Sequence, residues 1–141
     1  MTAADNKRLL QEAFAALATG DGRLFVACMA DDFTWTIIGT TAWSRRYAGK
    51  EVVRRELLDP LFAQFAGRYT NTALSFIAED DHVVVECRGH VATRTGPRYD
   101  NSYCYICRFT DGRMVELTEY LDTALVERVL TPPGAPPEFR I

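Results

Sequence analysis

The sequence is poor in the features that mark several large function classes. Its 141 residues include two histidines, and the four cysteines have no second ligand pair at metal-binding spacing, so no metal site is expected. A glycine-rich phosphate loop and a nucleophile elbow are both missing. No apolar run approaches the roughly 20 residues that a membrane span needs. Excess charge is missing too. Sixteen Lys and Arg against nineteen Asp and Glu give a formal charge of −3, which offers no footprint for nucleic acid. The pairs Arg45-Arg46 and Arg54-Arg55 read as solvated loop and helix faces. Met1 to Lys7 is polar and merges into a helix pattern, with no signal-peptide character, so a cytoplasmic location is expected.

Cys104 and Cys107 form a C-x-x-C string, but it lies in the strand-like run Tyr103-Cys104-Tyr105-Ile106-Cys107. A spacing of three puts the two thiols on opposite faces of a strand, so all four cysteines are read as reduced and structural.

What is present suits one soluble domain: 48% hydrophobic and 25% charged residues. The domain is expected over residues 1–130. Residues 131–141 hold four of the six prolines and are read as an extended tail, with Phe139 and Ile141 able to dock or hang free.

The apolar spacing predicts a helix from Asn6 to Thr19, a short one from Arg23 to Met29, and a strand from Phe33 to Ile38. Gly39 to Gly49 is expected to be a loop. Lys50 to Phe65 returns to helical spacing, with a kink or break at Pro60. Four strands follow, Tyr69–Ile77, His82–Arg94, Tyr99–Phe109 and Arg113–Leu121, joined by short turns as an antiparallel meander. A last helix is expected from Thr123 to Leu130, capped by Asp122 or Thr123. Helices first and a long antiparallel sheet second is an α+β arrangement with a hollow between the layers.

Within the last strand, alternation places Val115, Leu117, Glu119 and Leu121 on one face. Glu119 is thus an acid in an apolar row, reaching either solvent or a pocket. On the second strand of the meander, Glu86, Arg88, His90 and Ala92 share one face and the valines the other. If the polar face lines the hollow, Arg88 and His90 stand over Glu119; if it points outward, they are surface groups. Asn101, Tyr103 and Tyr105 share a face that grades from polar lip to core, or else meets a dimer interface. Trp35, Trp43 and Tyr47 supply aromatic surface near the expected mouth, Trp43 as the better ligand contact. Asp122 reads as a helix cap.

Over residues 6–130 the chain resembles the nuclear transport factor 2-like superfamily, in its SnoaL-like, ketosteroid-isomerase-related branch. The resemblance rests on Gly20-Asp21 after the first helix, Ala30-Asp31-Asp32-Phe33-Thr34-Trp35, and Tyr47-Ala48-Gly49-Lys50-Glu51. It rests also on Asp111-Gly112-Arg113 followed by Glu119-Tyr120-Leu121-Asp122-Thr123. It implies a cone in which a curved antiparallel sheet wraps the N-terminal helices around a deep pocket, usually as a homodimer through the sheet.

The resemblance carries several activities, and the residues must be matched to each. The steroid isomerases' general-base Asp would fall at Thr36-Ile37-Ile38 and their oxyanion Tyr near Ala13, so neither is present. The epoxide-hydrolase Arg-x-Asp resembles Arg88-Gly89-His90, with a last-strand acid near Glu119. The cyclase branch's single carboxylate fits Glu119 with His90. The expectation is cofactor-independent acid–base chemistry on a small, apolar, oxygenated molecule by Glu119, His90 and Arg88. Trp35, Trp43, Tyr47, Asn101, Tyr103 and Tyr105 would hold the substrate. A binding protein with the same pocket and no chemistry is the alternative.

Overall fold

The computed structural model describes residues 1–134; Phe139 and Ile141 of the expected tail lie outside the described residues. Helix α1 (Ala3–Leu17) begins earlier than its apolar spacing suggests. Thr2 and Asp5 form a reciprocal capping box, Asp5 N donating to Thr2 Oγ1 at 3.1 Å and Thr2 N to Asp5 Oδ2 at 2.9 Å. Leu10, Ala13 and Phe14 on its inner face are buried, as the spacing predicts. Helix α2 (Arg23–Ala27) is short and leads straight into strand β1 (Met29–Ile37). Asp31 and Asp32 are therefore exposed strand residues, not the stop signal of a helix.

The expected loop contains a short strand, β2 (Arg46–Ala48). It pairs antiparallel with β1, Trp35 opposite Tyr47. Helix α3 (Lys50–Val52), a π-helical segment (Val53–Leu58) and helix α4 (Asp59–Phe62) then follow without interruption. Of the kink or break expected at Pro60, the helical run shows no break but an irregular π-helical turn just before it. Pro60 offers no N–H, and the ladder before it slips to wider spacing, Asp59 N donating to Arg54 O. The chain leaves the helix at Phe65, which opens β3 instead of ending the helix.

Strands β3 (Phe65–Glu79), β4 (His82–Thr93), β5 (Ser102–Thr110) and β6 (Arg113–Leu121) form the antiparallel meander. The sheet order is β2-β1-β6-β5-β4-β3, and β1 joins β6 in parallel, a pairing the local pattern does not encode. Helix α5 (Thr123–Val129) is capped by Asp122, which accepts from Leu125 N at 3.2 Å.

The core lies between the helices and the inner face of the sheet. Leu10, Val83, Val85, Cys107, Met114 and Leu117 are almost wholly removed from water there, each such side chain stabilising the fold by about 1.5–3 kcal/mol relative to exposure.

Candidate active site

A bulge decides which residues of β6 face the core. Arg108 pairs with Glu116 and Phe109 with Met114, leaving Val115 as the extra residue. The inward row is therefore Met114, Leu117 and Glu119, with Val115 only half-buried, so the expected row-mate of the acid is replaced. Glu119 itself turns inward, between Ile37 of β1 and Tyr105 of β5, and is 6% exposed.

Among the described residues its side-chain partner is Trp35, whose Nε1 donates to Glu119 Oε1 at 2.8 Å. Trp35 is held edge-on by the rings of Phe25, Phe33 and Tyr105, at centroid distances of 5.9–6.1 Å. Among the described residues, no cation offsets the burial. Loss of water raises the Glu119 pKa from 4.5 to about 7, against the opposing pull of the indole hydrogen bond.

Glu119 and Trp35 line a cavity of about 530 Å³, within the range that holds a small organic ligand. Phe25, Leu57, Leu61 and Val126 make much of its apolar wall, and Phe62, about half exposed, stands where the cavity meets solvent.

Uncharged polar groups gather on one side, while Arg23 and Asp59 also border the cavity. Tyr69, Tyr99, Tyr103 and Asn71 all line the cavity. Asn71 Nδ2 donates to Tyr69 Oη at 3.2 Å, and Tyr69 Oη lies 3.4 Å from Tyr103 Oη. Asn101 Nδ2 donates to Tyr99 Oη at 3.1 Å. Burial raises the pKa of all of these phenols, so they stay protonated. Gly89, on the inner face of β4, leaves room for this cluster: a Cβ there would lie 2.6 Å from Tyr69 Oη.

The structure sorts the expected residues into three groups. Glu119, Trp35, Trp43, Tyr103 and Tyr105 line the cavity. Trp43 is not a free loop contact, since its Nε1 donates to Thr131 O at 3.0 Å and the ring is 3% exposed. Tyr47 and Asn101 stand behind the wall. Tyr47 spends its hydroxyl on Trp43 O at 2.8 Å, while Asn101 is bound to Tyr99 and to the backbone of Asp122.

Arg88 and His90 are on the outer face, exposed and away from Glu119, which overturns their expected place over the acid. The physical reason is that β4 alternates without a break from His82 to Thr93, and its Val-rich face points inward. The sheet's irregularities at this edge fall between Ala66 and Thr70 and between Ala73 and Ser75, so β3 absorbs them. His90 Nδ1 faces Asp100 at 4.0 Å instead.

Tyr69, Tyr99 and Asn71 were not among the expected site residues. Their signal is a Tyr-x-Asn string that occurs twice, at Tyr69-Thr70-Asn71 and Tyr99-Asp100-Asn101. In an extended chain, residues two apart share a face, so each Asn can reach the hydroxyl of its own Tyr.

All four cysteines are free thiols, and Cys104 and Cys107 fall on opposite sides of β5, one half-buried and one buried. Among the described residues, no group of three His, Cys, Asp or Glu could hold a metal ion. None of the described helices is long and apolar enough to cross a membrane.

With this geometry, the SnoaL-like domain matches the chain over residues 10–117. The chain belongs to the SnoaL-like domain family. No protein of curated function matches this SnoaL-like chain. Among solved structures it is similar to an NTF2-like protein of unknown function from Burkholderia pseudomallei K96243. That match has 21% identity and a TM-score of 0.76, over 90% of this chain and 98% of the other. A protein put forward as a SnoaL-like polyketide cyclase, from Jannaschia sp. CCS1, is similar at 21% identity and a TM-score of 0.71, over 95% and 94%. TerC, co-crystallised with polyporic acid, is similar at 18% identity and a TM-score of 0.74, over 89% and 97%. At these identities the likeness shows the shared NTF2-like fold.

Proposed function

We propose that this SnoaL-like protein is an enzyme that moves protons on a small, largely apolar, oxygenated molecule, with Glu119 as the acid–base group. The supporting observation is a carboxyl at 6% exposure on the wall of a largely apolar cavity, with an indole N–H beside it and, among the described residues, no cation paired with it. A pKa near 7 is the value at which one group both accepts and returns a proton near neutral pH. The largely apolar wall favours an apolar body in the ligand, and the phenols on one side accommodate oxygen. Isomerisation of a β,γ-unsaturated ketone and aldol cyclisation both begin with a proton taken from carbon beside a carbonyl. The cyclase and polyporic acid connections of two structural neighbours are in keeping with a substrate of this kind.

The test uses a simple ketone in place of the natural substrate. Exchange of the α-hydrogens of 2-tetralone into D2O, followed by proton NMR, is expected to run faster with the protein than in buffer. Glu119→Gln is expected to lower the protein-dependent rate by about 100-fold or more, with 2-tetralone affinity retained. Binding without accelerated exchange would favour the non-catalytic alternative, a protein that only holds such molecules.

We also propose that two copies pair through the outer face of the sheet. Leu74 and Ile77 of β3 and Tyr120 of β6 are 53%, 66% and 46% exposed. They belong to one shallow depression with Val84, Glu86 and Arg88. Large apolar side chains clustered on an open sheet face are characteristic of a contact surface.

A further inference from the structure

We infer that Tyr99 and Tyr103 form an oxygen-binding subsite, which donates hydrogen bonds to a carbonyl or enolic oxygen of the ligand. This rests on the reading of the cavity given above and adds what its polar side recognises.

The argument is a count of hydrogens. Asn101 has only one orientation, because its Oδ1 accepts Asp122 N at 3.0 Å while its Nδ2 donates to Asp122 O at 3.2 Å. The same Nδ2 reaches Tyr99 Oη, so the phenol oxygen is an acceptor there and its own O–H is left to point elsewhere. On the other side, Asn71 Nδ2 reaches Tyr69 Oη, and Tyr69 meets Tyr103. Three phenols bring three hydrogens; the Tyr69–Tyr103 hydrogen bond uses one, and Tyr99 stands near enough to Tyr103 to use a second. With Asn71 oriented as observed, at least one O–H remains.

The cluster is therefore a net donor. A buried donor left unmet is costly, and these hydroxyls border an open cavity, so a ligand acceptor completes them. Placement agrees. Tyr103 is two residues from Tyr105, the cross-strand partner of Glu119, and on the same face, roughly 7 Å along the strand. The subsite and the carboxyl thus belong to neighbouring positions on one face, both lining the cavity, as a ketone held at its oxygen and its α-hydrogen requires. Behind the subsite, Asn101, Asn71 and Gly89 act as positioning residues: two amides aim the hydroxyls and one missing side chain leaves them space.

The experiment compares 2-tetralone with tetralin, the same ring system without the oxygen, in the full chain by calorimetry. Wild type is expected to prefer the ketone by about tenfold, the worth of one or two neutral hydrogen bonds. Tyr99→Phe and Tyr103→Phe together are expected to erase that preference while tetralin binds as before, which also shows that the variant is folded. The infrared carbonyl stretch of bound 2-tetralone should sit at lower frequency in wild type than in the double variant. Equal affinity for the two probes in wild type, or a preference that survives in the double variant, would overturn the subsite. Failure of both probes to bind would remove the cavity reading with it. A ketone preference without α-hydrogen exchange would keep the subsite and remove only the catalytic role of Glu119.

Discussion

A carboxyl group held protonated by burial makes folding depend on pH, and Glu119 is such a group. Its pKa rises from 4.5 to about 7 on folding. Below the first value both folded and unfolded chains hold the proton, and the contribution of Glu119 to stability is intact. As pH rises from 4.5 to about 7, the unfolded chain ionises first, so unfolding releases a proton and stability falls. Beyond the upper value the loss is complete, at about 3 kcal/mol. Glu119→Gln keeps an oxygen for Trp35 and has no charge to bury. It is expected to match wild type at about pH 4 and exceed it by up to about 3 kcal/mol at about pH 8 in urea unfolding. A variant less stable than wild type at the higher pH would mean that the native carboxylate is better solvated than its burial implies. Loss of turnover with gain of stability is the trade expected of a functional acid.

At the scale of single elements, the strands explain which site residues were legible. Glu119 stands out in its sequence because an acid in an apolar row is locally inconsistent, and such conflicts concentrate at functional positions. The spacing of Leu10, Ala13 and Phe14, the β6 span and the Asp122 cap were equally readable, since each depends on neighbours in the chain. The bulge at Val115 was not, because it is set by pairing with β5. For β4, plain alternation predicts that Arg88 and His90 point outward, and the structure agrees with that reading. Family likeness pulled the same residues toward the pocket. Arg88→Ala and His90→Ala are accordingly expected to leave 2-tetralone exchange within about twofold of wild type, as surface changes do. A loss comparable to that of Glu119→Gln would mean that the β4 face is wrongly placed. The partnership of Trp35 with Glu119 was hidden for another reason: the two are 84 residues apart and meet only through the parallel β1–β6 pair.

For the molecule as a whole, the inner face of the sheet is packed and hollowed, while the outer face carries a bare apolar patch beside charged groups. Leu74→Lys with Ile77→Lys puts like charges on the bare face. Wild type is expected to sediment as a dimer and this variant as a monomer with unchanged circular dichroism; a monomeric wild type would refute the pairing. The helical side is built differently from the sheet side. Leu57, Leu58, Leu61 and Phe62 border the cavity from a π-helical segment and the short helix after it, whereas Glu119 and Trp35 sit on adjoining strands well inside the sheet. Divergence can therefore recut the helical contour of the cavity, and with it the molecules admitted, while the Trp35–Glu119 hydrogen bond keeps its alignment. A mould with one fixed half and one replaceable half is an economical way for a single scaffold to acquire new chemistry by changing its guests.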